Sequence, residues 1–150
     1  MMNRHVKDGH GWALLLIGLL AGCSGGRPPV AQDPAAGLPP CPPSPNCVSS
    51  QASDPDQRVE PLRYDDAPAA ARARLLTVIN GMERSQVTQA SADTLQVEFR
   101  SAVFGFVDDV EFRFRQPGLI ELRSAARSGY YDFGVNRERI AQIRARFESR

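Results

Sequence analysis

The residues with the most chemical potential lie close together. Asp108 and Asp109 are adjacent, Arg123 and Arg127 bracket Ser124-Ala-Ala, and Asp132 precedes Asn136-Arg137. Two neighbouring carboxylates are the raw material of a general acid–base pair, as a hydrolase or lyase would use it. The guanidinium groups of Arg123, Arg127 and Arg137 suit a carboxylate or phosphate, which they grip through paired N–H donors. A helix starting at Asn136 would add backbone donors to the same anion. Asp108, Asp109 and Asp132 fall short of the roughly six to eight oxygens that calcium takes, so neither a metal nor a cofactor is expected. Both histidines, His5 and His10, sit at the N-terminus. Histidine triads, Cys–His dyads and His-ligated metals are thereby excluded for the rest of the chain.

Three strands are needed to hold these groups. From Thr94 the pattern has period two: Leu95, Val97, Phe99, Ser101 and Val103 on one face, Thr94, Gln96, Glu98, Arg100 and Ala102 on the other. After Gly105, Phe106, Asp108, Val110, Phe112 and Phe114 form the apolar face, with Val107, Asp109, Glu111, Arg113 and Arg115 opposite. Gln116-Pro117-Gly118 is a turn, and Ile120, Leu122, Ser124 and Ala126 face inward on the third strand. Pairing Phe104 with Val107 and Arg115 with Leu119 gives two charge rows, Glu98–Arg113–Glu121 and Arg100–Glu111–Arg123. A slip of two residues in the first pair would oppose like charges, which is destabilising. Most of the charge is therefore expected to be a solvated checkerboard contributing about 0–1 kcal/mol per pair. Asp108 does not fit that account. A carboxylate on the apolar face needs a partner. Adjacent strand residues point to opposite faces, so Asp108 and Asp109 would share a substrate only across a bulge.

Two helices complete the expected domain. Asp65-Asp66-Ala-Pro68 reads as a capped start, with Leu75, Leu76, Ile79 and Met82 forming an apolar stripe and Gly81 the stop. Asn136 is expected to cap the second, whose stripe is Ile140, Ile143 and Phe147. Gln86 to Ser91 reads as a further short strand. The fold class is α+β: a three- to four-stranded antiparallel meander covered on one face by helices near 67–80 and 136–148.

The first forty residues read as delivery. Arg4 and Lys7, the apolar run from Trp12 to Leu20 and small residues after it match a signal peptide over 1–22. The run is too short to cross roughly 30 Å of hydrocarbon. Leu20-Ala21-Gly22-Cys23 resembles the lipobox of bacterial lipoproteins, which implies cleavage before Cys23 and its acylation, palmitate included. Several acyl chains at about 0.8 kcal/mol per methylene make a lasting membrane anchor. By resemblance to enterobacterial sorting rules, Ser24 rather than Asp after the cysteine implies the periplasmic face of the outer membrane. The Gly-, Pro- and Ala-rich stretch over 23–40 is expected to be a disordered tether, leaving 41–150 as one domain. Cys41 and Cys47, close in sequence in an exported chain, suggest a structural disulfide; Cys-x-x-Cys redox spacing is missing. Setting aside Arg4 and Lys7 among the 18 basic residues and Asp8 among the 17 acidic ones leaves sixteen of each from Cys23 onward. So balanced a domain is a poor partner for nucleic acid.

Three blocks resemble a bacterial family known as domain of unknown function 1499 (DUF1499). They are Cys41-Pro-x-Ser-Pro-Asn-Cys-Val-Ser-Ser50, Phe106-x-Asp-Asp-Val-Glu111, and Arg123-Ser-x-x-Arg-x-Gly129 running on to Asp132-x-Gly-x-Asn-Arg137. The resemblance covers about 41–150 and implies a shared α+β fold, with no activity attached. Residues 125–126 depart slightly, reading Ala-Ala. Three readings compete: a tethered binding or envelope-structural module whose arginines take an anionic small molecule or envelope component; a hydrolase or lyase using Asp108 and Asp109; and a scaffold in which Asp108, Asp132, Asn136 and Arg137 lock the sheet to the last helix.

Overall fold

Strand alternation and two apolar helix stripes build the chain in the order β1 (Cys47–Ser49), β2 (Leu62–Arg63), α1 (Pro68–Asn80), β3 (Ser85–Ala90), β4 (Thr94–Arg100), β5 (Val107–Gln116), β6 (Leu119–Ala126) and α2 (Val135–Glu148). The computed structural model describes residues 37–149, so the signal peptide, Cys23 and the tether up to residue 36 lie outside the described residues. Six strands make one antiparallel sheet, ordered β1-β6-β5-β4-β3, with β2 also paired to β6. The chain is α+β. Two strands more than expected are present because β6 has a free edge, which Cys47–Ser49 and Leu62–Arg63 pair in pieces too short for alternation to show. Residues 37–40, assigned above to the tether, pack with the domain: Leu38 is buried, and its N–H donates to Oε1 of Gln51 at 3.0 Å.

One parity of the central strands (Leu95, Val97 and Phe99; Val110 and Phe112; Ile120 and Leu122) joins Leu75 and Ile79 of α1 and Ile140, Ile143 and Phe147 of α2 in a single buried cluster. Full burial of such a side chain is worth about 1.5–3 kcal/mol. α1 begins with Pro68 in its first turn but has no side-chain cap. Asp66, expected nearby as a cap, instead pairs with Arg74, whose guanidinium lies 4.3 Å over the Phe147 ring. A charged partner offers a carboxylate more than a lone N–H does. The same contact ties α1 to α2.

The β5–β6 register is the expected one, with Glu111 opposite Arg123 and Arg113 opposite Glu121; a bulge after Arg113 then brings Gln116 opposite Leu119. The β4–β5 register is not. Glu98 faces Asp109, Gln96 faces Glu111 and Thr94 faces Arg113. The hairpin closes at Ser101, whose N–H donates to the Phe106 carbonyl at 2.9 Å while its Oγ accepts the Phe106 N–H. The loop is thus longer than the two-residue turn expected, and Gly105 supplies its left-handed residue at φ 66°. Val103 and Phe106, assigned above to the apolar face, are exposed in or beside this loop. Nor is the charged face a solvated checkerboard: Arg113 is 2% exposed, and Glu98 is buried.

Cys41 and Cys47 are joined by a disulfide with Cα atoms 5.6 Å apart. Closing so short a loop stabilises by about 2 kcal/mol in the chain-entropy model. It also fixes Asn46 beside the end of β6, where the Asn46 carbonyl accepts the Ala126 N–H at 2.9 Å. Among the described residues, no helix is long and apolar enough to cross a membrane.

Candidate functional site: two polar clusters on opposite faces

Strand parity sends Asp108 and Asp109 to opposite faces of β5, and each anchors its own cluster. On the helix-covered face, Asp108 accepts a 2.6 Å hydrogen bond from Nη2 of Arg139, a residue of α2. Arg139 also donates through Nη1 to Oδ1 of Asn136 at 2.8 Å and to Oγ of Ser124 at 3.3 Å. Its guanidinium sits 4.8 Å over the Phe99 ring. Ser124 donates in turn to Oδ1 of Asn136, and both residues are fully buried. Burial pushes the Asp108 carboxyl above its ordinary value, against the attraction and hydrogen bond of Arg139.

Asn136 does not cap α2. Gly134 occupies the cap position, and Asn136 faces inward one turn along the apolar stripe. Its Nδ2 donates to the Asn46 carbonyl at 3.1 Å and to Asp132 at 2.8 Å. The capping role falls to Asp132, whose carboxylate accepts the N–H groups of Gly134 and Asn136, each at 2.9 Å. Burial would raise its pKa, but these hydrogen bonds outweigh it and hold the carboxyl below the usual range. Four segments meet here: the disulfide loop, β5, β6 and α2. Arg137, expected beside them, points elsewhere and donates to the carbonyls of Arg58 at 3.0 Å and Asp56 at 2.5 Å.

The opposite face carries neither α1 nor α2. Here Arg127 grips Asp109 with two nitrogens, Nε at 2.9 Å and Nη2, and reaches Oε1 of Glu98 at 2.9 Å. The Asp109 hydrogen bond is the main reason its pKa is raised. Arg100 holds the other Glu98 oxygen at 3.1 Å. Arg113 donates through Nε to Glu111 at 2.5 Å and through Nη1 to Thr94 at 2.9 Å. Its Nη2 is buried with no hydrogen-bond partner. Arg123 is a diagonal neighbour of Arg113, between Glu111 on β5 and Ser49 on β1. Its Nε is also buried without a partner. Burial lowers the Arg123 pKa, opposed by the charges of Glu111 and Asp109.

The candidate residues therefore divide. Asp108, Ser124, Asp132 and Asn136 come together on the helix face; Asp109, Arg123 and Arg127 share the other; Arg137 joins neither. Sequence reasoning missed Arg139 and Asn46. The signal for Arg139 was its position beside Asn136 and Ile140 on the buried side of α2, a side that a charged residue occupies only with a partner. Among the described residues no group of three or more His, Cys, Asp and Glu side chains is placed to hold a metal ion. The fold and these clusters define a small α+β domain, stapled by a disulfide and ion-paired on both faces of its sheet. Within that class, residues 37–147 match the family described as Protein of unknown function (DUF1499), and the chain belongs to that family. No curated protein matches it.

Proposed function

We propose that the chain is a lipid-anchored module of the cell envelope, tethered through Cys23 to the periplasmic face of the outer membrane. Its helix-free face binds an anionic group, a carboxylate or a phosphate, through Arg123. One observation carries the binding reading: the buried Nε of Arg123 has no hydrogen-bond partner, although a guanidinium is among the strongest donors a protein has. An unsatisfied buried donor costs about 1–3 kcal/mol, which a ligand oxygen would recover. Arg127 has a different task here: it neutralises Asp109 and Glu98 and keeps their carboxylates away from the incoming anion.

The binding test follows the Nε–H signal of Arg123 by NMR during titration with inorganic phosphate and, separately, succinate. Saturable shifts of the Arg123 and Arg113 side-chain signals are expected, lost in Arg123→Ala and partly kept in Arg123→Lys. The Arg123→Ala domain should stay folded and lose about 1–2 kcal/mol, because no hydrogen bond is lost but its packed stem and the attraction to Glu111 and Asp109 are. Absence of a saturable shift with both probes in a folded protein would defeat the reading. The anchor is tested separately. Palmitate should label the full chain, and Cys23→Ala should abolish labelling and leave an unprocessed precursor; labelling that persists removes Cys23 from the account.

A further inference from the structure

Every large apolar side chain that stands exposed among the described residues lies in one of two loops or opens the helix after the second. The first, 101–106, joins β4 to β5 and exposes Val103, Phe104 and Phe106; the second, 127–134, joins β6 to α2 and exposes Tyr130, Tyr131 and Phe133. The two share one end of the sheet. The N–H of Arg127, just past β6, donates to the carbonyl of Val107, the first residue of β5, at 2.9 Å. A cleft of about 710 Å³ takes Ser101 from the first loop and Phe133 and Gly134 from the second into its lining. Within each loop the rings associate, Phe104 with Phe106 at 5.7 Å and Tyr131 with Phe133 at 5.1 Å.

Phe133 is the most telling of these residues. It is 86% exposed and holds a left-handed backbone at φ 56°, with Gly134 left-handed behind it at φ 80°. A phenylalanine is disfavoured there twice, by the steric cost of that conformation and by wet apolar surface. Glycine would avoid both. Nothing within the described domain covers the ring.

We propose that these two loops are a membrane-docking surface, which enters the headgroup region of the bilayer to which Cys23 anchors the chain. The inference rests on the anchored reading given above. Three features favour lipid over a folded partner. The side chains crown two loop tips, with Phe104 77% and Phe133 86% exposed, which suits a deformable medium. Tyrosine and phenylalanine are residues that settle at membrane interfaces. In the cleft beside the loops Arg84 is paired with Glu83, Arg100 with Glu98 and Arg139 with Asp108, which leaves Arg146 to meet a headgroup phosphate. The chain outside the structure permits the contact. Between Cys23 and residue 37 an extended tether reaches on the order of 40 Å, enough to let either end of so small a domain meet the bilayer. Tethering also keeps the local concentration of lipid high, so modest affinity suffices.

The test uses the full chain, processed and reconstituted into vesicles of phosphatidylethanolamine and phosphatidylglycerol. Trp12, the only tryptophan, leaves with the leader, so one added tryptophan is a clean reporter. Phe133→Trp and Phe104→Trp should each be quenched about twofold by lipids brominated near the headgroup, and Gln116→Trp, in the turn at the far end of the sheet, should not be. Vesicle flotation is measured on the same samples. Flotation without quenching at 133 and 104 overturns the docking surface while leaving the anchor intact; failure to float overturns the anchor instead. Emission at 133 that depends on protein concentration and not on brominated lipid would assign the patch to a second copy of the chain, and also overturns the proposal.

Discussion

Arg139→Ala is expected to destabilise the domain by about 3–5 kcal/mol at neutral pH, the usual cost of removing one partner from a buried ion pair. Asp108 is only 9% exposed, and Arg139 is its ion-pair partner. The same substitution strips donors from Ser124 and Asn136 and removes the guanidinium from the Phe99 ring. The loss should depend on pH, with a definite sign. Burial already raises the Asp108 pKa above 3.8, so the folded state binds that proton more tightly than the unfolded chain does. For such a group the stabilising contribution of protonation is complete below the unfolded value and disappears as pH rises through the folded one. Removing Arg139 takes away the attraction that opposes this shift, so the folded pKa climbs further. The deficit of the variant should therefore be largest at neutral pH and shrink toward pH 4. Urea denaturation of both proteins at neutral and mildly acid pH measures it. A deficit under about 1 kcal/mol at neutral pH, or one that does not change with pH, would mean that Asp108 is not held by this pair.

That network also marks the limit of what the sequence discloses. The apolar stripes of both helices and the alternation of β4, β5 and β6 are local patterns, and they placed most of the core. The requirement that Asp108 have a partner was also legible, because a carboxylate on an apolar face is costly alone. The pairing itself was not legible, since Arg139 lies 31 residues further along the chain; its place on the buried side of α2 marks it as needing a partner but does not say which. Asn136 was misread for a related reason. A polar residue at a helix start looks the same to local rules whether it caps the helix or enters the core. Here Asp132 does the capping, and Asn136 is free to bond Ser124 and Asn46.

The register of β4 against β5 failed for a different physical reason. Pairwise charge rules disfavour Glu98 opposite Asp109, and within those two strands they are right. The charge that rescues the pairing comes from Arg127, beyond the end of β6, which binds both carboxylates at once. A third body outside the hairpin, together with the longer turn around Gly105, decides the register. β5 against β6 was legible because two charges there meet their opposites directly across the ladder, Glu111 facing Arg123 and Arg113 facing Glu121.

This makes Arg127→Ala the second large expected effect. Without Arg127, Asp109 loses both of its hydrogen bonds from a cation, and Glu98 loses the cation that it shares with Asp109. Two opposed carboxylates would then face each other on adjacent strands, both largely buried. Because both retain some contact with solvent, the expected cost is about 2–3 kcal/mol, below that of a fully buried pair. Arg137→Ala is the comparison. Arg137 is exposed and donates only to the carbonyls of Asp56 and Arg58, so its removal should cost under about 1 kcal/mol. Thermal melts of the two variants beside wild type separate the roles. Asp109→Asn in the Arg127→Ala background should recover part of the loss, because it removes one of the two opposed charges. Equal and small losses in both variants would show that Arg127 is not the residue that holds this register, and would leave it free to serve a ligand beside Arg123.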